Sequence, residues 1–267
     1  MKDFFFDTAN ISFIEKTWDQ LKGKVDKSLV RGITTNPNAF AKVEKFPLNE
    51  WLEHLPKLCA LVTSIREDNK GVVYIQCPNS EMTPDQVLAY AKLVSQHSDG
   101  VTKIGLKIPP FEPILRIIPQ LNEFVEVNVT GVADASTALK CTSYPLKYVS
   151  IIPGRMEEQG INAQAQIEFV LQSNMGTTEI ITGSMRTIEC LTWTWQIGTV
   201  PTIGERVWPL ILEGNTLDQL LDTDYSIEFG TQNFSPYIDA TNIDLSLSFF
   251  EQMDSQGKQA HIDYLNL

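Results

Sequence analysis

The sequence has 267 residues, 43% of them hydrophobic and 20% charged, a composition typical of a globular protein with a substantial core. Its 33 acidic residues outnumber the 21 basic ones, so the formal net charge is −12, and no stretch concentrates Lys and Arg. This balance argues against nucleic acid and anionic membranes as partners. An anionic small molecule would therefore need a local cluster of cationic side chains. The length allows either two domains or one large α/β barrel.

The cysteines show neither a metal-binding nor a disulfide pattern. They stand far apart without CxxC spacing, and the three histidines are not grouped with them: Cys59, Cys77, Cys141 and Cys190. We therefore expect no metal site, no disulfide framework and a reducing cytoplasm. The N-terminus has only three consecutive apolar residues before Asp7, and no later run approaches the roughly 18 apolar residues of a membrane span. We expect neither a signal peptide nor a transmembrane helix.

Short runs rich in β-branched and aromatic residues recur along the chain and predict eight strands. In chain order the predicted strands are Asp3–Asp7, Leu29–Thr34, Val72–Gln76, Thr102–Ile108, Phe124–Val129, Lys147–Ile152, Glu179–Thr182 and Val200–Ile203. Between them, apolar residues spaced three and four apart predict helices. These helices cover Ser12–Leu21, Leu48–Ser64, Thr83–Ser95, Phe111–Leu121, Ala133–Lys140, Ala163–Ser173 and Met185–Trp195.

This alternation indicates parallel strands joined by helical crossovers, and eight such units close a (β/α)8 TIM barrel. The alternative is an open, doubly wound sheet, which a glycine-rich phosphate loop after the first strand would favour. Phe6 is followed instead by Asp7–Asn10, which contains no such motif. We therefore predict one barrel domain over residues 1–214. We predict that residues 215–267 form a C-terminal extension with a helix near Ile243–Met253. This extension is expected to pack on the barrel or on a neighbouring subunit.

Catalytic side chains of a barrel come from the C-terminal ends of its strands. In the fourth strand, alternation places Lys103, Gly105 and Lys107 on one face, and the apolar face should meet the helices. Lys107 then lies inside the barrel at the catalytic end, where desolvation lowers its pKa and favours a free amine able to form a Schiff base. Lys103 lies at the opposite mouth and can extend to water. The alternative for Lys107 is a solvated ion pair.

The other strand ends carry polar groups whose roles the residues alone leave open. Asp7 could move a proton, or it could cap the helix that follows. Amides and a hydroxyl could hold a polyol, or could only satisfy backbone groups: Asn36, Gln76, Asn128 and Thr130. Arg155 and Arg186, with Ser184, follow the sixth and seventh strands, where barrels commonly hold a phosphate. The alternative for both arginines is a surface salt bridge.

The strand ends and the loops that carry these polar residues together resemble the transaldolase and fructose-6-phosphate aldolase family of class I aldolase barrels. Seven short stretches match in family order over roughly residues 1–205: Phe5–Asn10, Gly32–Pro37, Leu106–Pro109, Val127–Thr130, Tyr148–Ser150, Gly154–Arg155 and Gly183–Arg186. Each match alone is weak, but seven in register make the resemblance specific.

The resemblance implies that Lys107 is the Schiff-base lysine and that Asp7 is the acid/base residue near the C3–C4 bond of the sugar. It also implies that Asn36, Asn128 and Ser150 bind the dihydroxyacetone part of the substrate. Gln76 and Thr130 are implied to hold the catalytic water, and Arg155, Ser184 and Arg186 are implied to bind the phosphate. It implies no metal and no organic cofactor. The implied partners are phosphorylated sugars and further copies of the chain in a homo-oligomer, acting in the cytoplasmic pentose phosphate pathway.

The chain departs from the family pattern at several positions. Gln76 is similar to the aldolase branch, whereas transaldolases carry Glu there, and a neutral amide cannot take a proton from water. Ile152 stands where transaldolases carry Phe and the aldolases carry Tyr, so the water loses a phenol partner. The turn Gly131–Asp134 replaces the usual apolar and Ser-containing turn, and the C-terminal extension is longer and unlike that of the family.

The sequence thus predicts a transaldolase-type enzyme that transfers a dihydroxyacetone unit from a ketose phosphate, fructose 6-phosphate or sedoheptulose 7-phosphate, to an aldehyde phosphate. Both phosphate arginines favour this interpretation. One alternative is a fructose-6-phosphate aldolase that releases free dihydroxyacetone. Another is a catalytically degenerate barrel that binds sugar phosphates or serves as an assembly subunit, although binding alone would not require the Asp7 and Lys107 pair.

Overall fold

A computed structural model describes residues 1–66, 68–174, 176–227 and 241–267 of the chain. Within these residues, eight parallel strands form a closed barrel in which each strand pairs with its sequence neighbours and the last strand pairs with the first. The strands are β1 (Phe4–Asp7), β2 (Val30–Thr34), β3 (Val72–Gln76), β4 (Lys103–Ile108), β5 (Glu126–Val132), β6 (Tyr148–Ile151), β7 (Glu179–Thr182) and β8 (Val200–Gly204). The predicted (β/α)8 barrel is confirmed, and the open sheet is wrong.

Helices surround the barrel and connect its strands. The structure has α1 (Ile11–Leu21), α2 (Pro37–Lys42), α3 (Leu48–Ile65), α4 (Pro84–Ser95), α5 (Ile118–Leu121), α6 (Ala135–Thr142), α7 (Pro153–Glu158), α8 (Ala163–Ser173), α9 (Ile188–Gln196), α10 (Trp208–Leu212), α11 (Thr216–Asp222) and α12 (Ile243–Leu265). Capping residues define many of the starts. Thr83, for example, forms a capping box with Gln86 at the start of α4. No described helix is both long enough and apolar enough to cross a membrane.

Two of the predicted helices begin three or more residues later than expected. The first half of the predicted helix over Phe111–Leu121 is a 3-10 turn at Ile114–Ile117, and only α5 is α-helical. Pro113 and Pro119 both fall in this stretch, and a proline has no N–H for the α-helical hydrogen-bond ladder. The helix expected from Met185 begins at Ile188, because the Thr187 side chain accepts the Cys190 N–H as the N-cap. The short helices α2, α7, α10 and α11 were not predicted.

The interior of the barrel is closed by an aromatic plug made of Phe5, Tyr74 and Tyr148. Their rings meet edge to face, with centroids 5.8 to 6.0 Å apart. Gly105 leaves room for this plug, since a Cβ there would lie 2.2 Å from the Tyr74 ring. Lys107 lies two residues further along β4, so the plug separates the C-terminal mouth of the barrel from the N-terminal one.

Helix α12 is longer than the predicted Ile243–Met253 and packs across the C-terminal end of its own barrel. At its start, the Asn242 side chain donates to the Ala133 carbonyl at 2.8 Å, and the Asn242 N–H donates to Asp134 at 3.1 Å. Further along, the Asp254 carboxylate accepts from the Ser80 N–H at 2.8 Å and the Ser80 hydroxyl at 2.6 Å. The helix is thus joined to the loops that follow β5 and β3. The domain boundary at residue 214 stays a prediction.

Two glycines allow α12 to approach the barrel closely. A Cβ on Gly257 would lie 2.2 Å from the Pro78 carbonyl oxygen, and a Cβ on Gly131 would lie 2.7 Å from the Phe250 ring. Gly131 also has a φ of +74°, a conformation that favours glycine. The departure from the family pattern at Gly131 therefore has a structural reason, because it makes room for α12.

Candidate active site

A cavity of about 280 Å³ opens at the C-terminal mouth of the barrel, above the aromatic plug. Most of the residues singled out in the sequence line it: Asp7, Asn36, Lys107, Thr130, Ser150, Arg155, Ser184 and Arg186. The two others are buried beside it. Asn128 is hydrogen-bonded to Ser150, and Gln76 pairs in register with Lys107 across β3 and β4. Strand ends thus bring the whole predicted set to one place, as expected for this fold.

Lys107 is enclosed within the barrel. Its residue is only 6% exposed, and its Nζ donates to the Thr35 carbonyl at 3.2 Å. Burial lowers the pKa of Lys107, and the negative charge of Asp7 partly opposes this shift. The residue therefore has the increased fraction of free amine that attack on a carbonyl requires. Lys103 lies on the same face at the N-terminal end of β4 and is exposed, as predicted for the lysine at the opposite mouth of the barrel.

Asp7 points to the same cavity and does not cap a helix. Its Oδ1 accepts a hydrogen bond from the Thr34 hydroxyl at 2.8 Å. The N-cap of α1 is Asn10, whose side chain accepts the Phe13 N–H at 3.0 Å. The capping alternative for Asp7 is therefore wrong, and its carboxylate remains available to the cavity.

Amide groups around Lys107 have unused hydrogen-bonding capacity. The Ser150 hydroxyl donates to Oδ1 of Asn128 at 2.8 Å. Nδ2 of Asn128 and Oε1 of Gln76 are both buried and have no partner among the described residues. Leaving such groups unpaired is costly, which indicates a place for a polar ligand or water. Asn36 lines the cavity and also caps α2 by accepting the Ala39 N–H at 2.9 Å, and its role in holding a polyol stays a prediction.

The loops after β6 and β7 meet closely on the opposite side of the cavity. A Cβ on Gly154 would lie 1.9 Å from the Ser184 carbonyl oxygen, and Ser184 itself adopts a φ of +61°. Arg186 donates to that carbonyl at 2.6 Å and to Glu158 at 2.6 Å. Arg186 thus forms the surface salt bridge that the sequence left open and also lines the cavity.

Arg155 is half-buried beside Arg186 and contacts the C-terminal helix. Its guanidinium carbon lies 5.1 Å from the centre of the Phe249 ring, and its Nη2 donates to Gln252. Its Nε is buried and has no partner among the described residues. Burial lowers the pKa of Arg155, and the positive charge of Arg186 adds to the shift. A bound anion beside these arginines would favour their charged forms and so oppose this lowering of the pKa.

The cavity collects positive charge within an acidic protein. Its described lining includes five cationic side chains, Lys42, Lys107, Arg155, Arg186 and Arg206, and two carboxylates, Asp7 and Glu205. Sequence reasoning did not place Glu205 and Arg206 here, although their position directly after β8 was a usable signal. It also missed Lys42 on α2 and Phe249, Gln252 and Met253 on α12. No motif marks the residues of α12, because they are distant in sequence from every strand.

The described residues contain no group of three or more His, Cys, Asp or Glu side chains placed to hold a metal ion. All four cysteines are buried as free thiols. Burial raises the pKa of Cys59 and of Cys141 to about 12, which makes both poor nucleophiles.

The chain is similar to a known protein family and to several known proteins. The sequence model described as transaldolase/fructose-6-phosphate aldolase matches residues 4–199. A "Probable transaldolase" of Desulfotalea psychrophila is 28% identical over 187 residues, which cover 68% of this chain and 77% of that protein. A "Probable transaldolase" of Thermodesulfovibrio yellowstonii is 29% identical over 187 residues, with the same coverage.

Solved structures with similar folds include thiamine phosphate pyrophosphorylase from Pyrococcus furiosus, with a TM-score of 0.54 at 10% identity, covering 82% of this chain and 95% of that one. Orotidine 5'-phosphate decarboxylase from Lactobacillus acidophilus has a TM-score of 0.53 at 8% identity, covering 84% of this chain and 100% of that one. At such identities the likeness concerns the barrel fold alone. The match to residues 4–199 shows that the chain belongs to the transaldolase/fructose-6-phosphate aldolase family, a family of aldolase-type enzymes.

Proposed function

We propose that the protein is a transaldolase-type Schiff-base enzyme that transfers a dihydroxyacetone unit between sugar phosphates. The observation that carries this proposal is the buried Lys107 amine in one cavity with the Asp7 carboxylate, with Arg155 and Arg186 on the opposite side. The amine and the carboxylate are the groups required for carbon–carbon bond cleavage through an iminium ion, and the arginines can bind a phosphate.

In the proposed reaction, the Lys107 amine attacks the C2 carbonyl of the ketose phosphate, and loss of water leaves an iminium ion. Asp7 takes the proton of the C4 hydroxyl as the C3–C4 bond breaks. The electron pair of that bond moves into the iminium, which becomes an enamine, and C4 becomes the carbonyl of a departing aldose phosphate. The enamine then attacks the carbonyl of an acceptor aldehyde phosphate, and the steps reverse to release the new ketose.

The remaining predicted residues have roles consistent with their contacts. The unpartnered Nδ2 of Asn128, with Ser150 and Asn36, would hold the hydroxyl groups of the dihydroxyacetone part. Thr130 and Gln76 would hold the water that adds to and leaves C2. Ser184, with the two arginines, would bind the phosphate of fructose 6-phosphate or sedoheptulose 7-phosphate.

A fructose-6-phosphate aldolase that releases free dihydroxyacetone is the second candidate, and Gln76 is the observation that favours it. The residue resembles the aldolase branch of the family. However, release of free dihydroxyacetone requires a proton on the enamine carbon before water can hydrolyse the iminium ion. The neutral amide of Gln76 is not an acid that could supply this proton, and Ile152, which lines the cavity, offers no phenol. We infer that the enamine persists long enough for transfer, and therefore rank the transferase first.

Borohydride trapping tests the covalent step. The protein is reduced in the presence of fructose 6-phosphate and mapped by peptide mass spectrometry, and we expect an adduct on Lys107. Lys103→Met is the matched control, because it removes the other inward lysine of β4, and it should leave the adduct intact. Lys107→Met should abolish it. A chain that binds fructose 6-phosphate without forming an adduct would be the degenerate barrel rather than an enzyme.

An acceptor assay then separates the two enzyme candidates. Turnover of fructose 6-phosphate is measured with and without erythrose 4-phosphate. Dependence on the acceptor supports transfer, whereas release of free dihydroxyacetone at the same rate without acceptor would identify an aldolase.

The proposal includes assembly into a cytoplasmic homo-oligomer, as the family resemblance implies. Four apolar residues of α12 are exposed in the single chain: Ile243 at 46%, Leu247 at 44%, Ile262 at 43% and Leu265 at 55%. Contact between copies could cover them. Light scattering on the purified protein tests this, and a monomer at micromolar concentration would contradict it.

A further inference from the structure

Helix α12 contributes to the candidate site although it lies outside the family match, which ends at residue 199. Phe249, Gln252 and Met253 all line the cavity. Phe249 and Gln252 are spaced three apart, so they lie on the same side of the helix. This side faces the phosphate end of the cavity, because both residues contact Arg155.

These two contacts hold the Arg155 guanidinium from different directions. The guanidinium carbon lies over the Phe249 ring, 5.1 Å from its centroid, and Gln252 accepts a hydrogen bond from Nη2. Nε is then the buried donor that has no partner among the described residues. A guanidinium held in this way loses less rotational freedom when it binds an anion, which is the physical basis of preorganisation.

The helix is rigid enough to act as such a support, because it is fixed at several points along its length. Its start is bonded to Asp134, its middle to Ser80, and its end to the first turn of α3, where the Leu48 N–H donates to Asp263 at 2.9 Å. Near the cavity, Phe250 packs against Gly131 at the end of β5. The position of Gln252 is therefore set by the barrel itself.

We propose that Gln252 and Phe249 are positioning residues that hold Arg155 with its Nε–H directed at the substrate phosphate, so that α12 sets the preference for phosphorylated over unphosphorylated substrates. The proposal rests on the role assigned to Arg155 under the proposed function. It adds a part of the chain to which the family match assigns no role.

The test compares Gln252→Leu with Gln259→Leu. Gln259 is a matched control, since it is an exposed glutamine two turns further along α12 that bonds Asp263 within the helix and does not line the cavity. For Gln252→Leu we expect kcat/KM for fructose 6-phosphate to fall about tenfold, mainly through KM, with little change for fructose. Gln259→Leu should change neither substrate. Phe249→Leu should shift the same ratio by about threefold. Equal losses on both substrates would overturn the proposal.

A double-mutant cycle with Arg155→Met separates the two proposals. If Gln252 acts through Arg155, Gln252→Leu should have no further effect on fructose 6-phosphate once Arg155 is replaced, and full additivity would overturn the positioning role. If Arg155→Met weakens fructose and fructose 6-phosphate equally, the phosphate role of Arg155 fails, and the inference fails with it. If Arg155→Met discriminates between the substrates but Gln252→Leu does not, the inference alone fails.

Discussion

The two ends of the barrel interior differ in how their polar groups are satisfied. At the N-terminal end, below the aromatic plug, charges are paired: Arg31 contacts Asp3 at 2.5 Å and Glu179 at 3.5 Å, and Tyr74 donates to Glu126. At the C-terminal end, the buried Asn128 amide, the Gln76 carbonyl and the Arg155 Nε have no partner among the described residues.

This difference separates stability from function within one fold. A buried polar group without a protein partner needs a water or a polar ligand as its partner, so the C-terminal end has places for a polar ligand among these side chains. The paired N-terminal end needs no ligand. The same β4 strand illustrates the contrast, since Lys103 reaches solvent at one end and Lys107 is enclosed at the other. Substitutions at the two ends should therefore have different consequences.

The largest expected effect is that of Lys107→Met on activity. Because this substitution removes the proposed nucleophile, turnover of fructose 6-phosphate should fall by at least about 10³-fold. Lys103→Met should stay within about twofold of the original rate. Steady-state assays measure both, and equal losses would remove the distinction between the two ends.

Asp7→Asn should lower kcat by about 10²-fold with little change in KM. The amide oxygen can still accept the Thr34 hydrogen bond, so the geometry is kept while the proton acceptor is lost. The comparison of kcat and KM is the measurement. An unchanged kcat would mean that another group, such as the Glu205 carboxylate in the same cavity, moves the proton.

Arg186→Met should raise KM for fructose 6-phosphate by about tenfold, because one charged donor to the phosphate is lost. Its control is Glu158→Gln, which removes the acidic partner at 2.6 Å and leaves the arginine in place. That variant should bind the sugar phosphate at least as well as the unmodified protein. Weaker binding of the sugar phosphate by Glu158→Gln would contradict this prediction, because it would show that the ion pair with Glu158 is the main role of Arg186.

The lowered pKa of Lys107 predicts a pH-dependent stability difference. The folded protein binds the proton of the Lys107 ammonium less tightly than the unfolded chain does. The ammonium therefore destabilises the folded state, and this destabilisation is complete at pH values below the pKa of Lys107 in the folded protein. The destabilisation disappears as the pH rises to the unfolded value of about 10.4. Lys107→Met should therefore be more stable than the original protein near pH 6, and the difference should shrink toward pH 10. Urea titrations at several pH values test this, and a constant difference would contradict it.

The smallest expected effect on activity is that of Tyr74→Phe at the N-terminal end. The variant loses the hydrogen bond to Glu126 and should lower the free energy of unfolding by about 1 kcal/mol. Its kcat/KM should not change, because the hydroxyl lies on the far side of the plug. A folded Tyr74→Phe protein with much reduced turnover would show that the two ends are coupled.

Much of the fold was predictable, because strand and helix alternate with clear periodicity. Val72–Gln76 and Glu179–Thr182 match the observed strands, and the inward direction of Lys107 follows from alternation in β4. The expected helix at Phe111–Leu121 failed in its first half, since local apolar spacing does not register the missing N–H groups of prolines. The N-cap of α1 also required the structure, because Asp7 and Asn10 are both suitable capping residues by type.

The sequence by itself determined the barrel, the end of the barrel where chemistry can occur and most of the polar groups found there, because periodicity and strand ends are local properties of the chain. Only the tertiary structure decided that Arg155 is held by Phe249 and Gln252, and that Gly131 and Gly257 make room for α12. The physical reason is that such contacts join residues about a hundred or more positions apart, whose proximity depends on the packing of the complete barrel rather than on any local pattern.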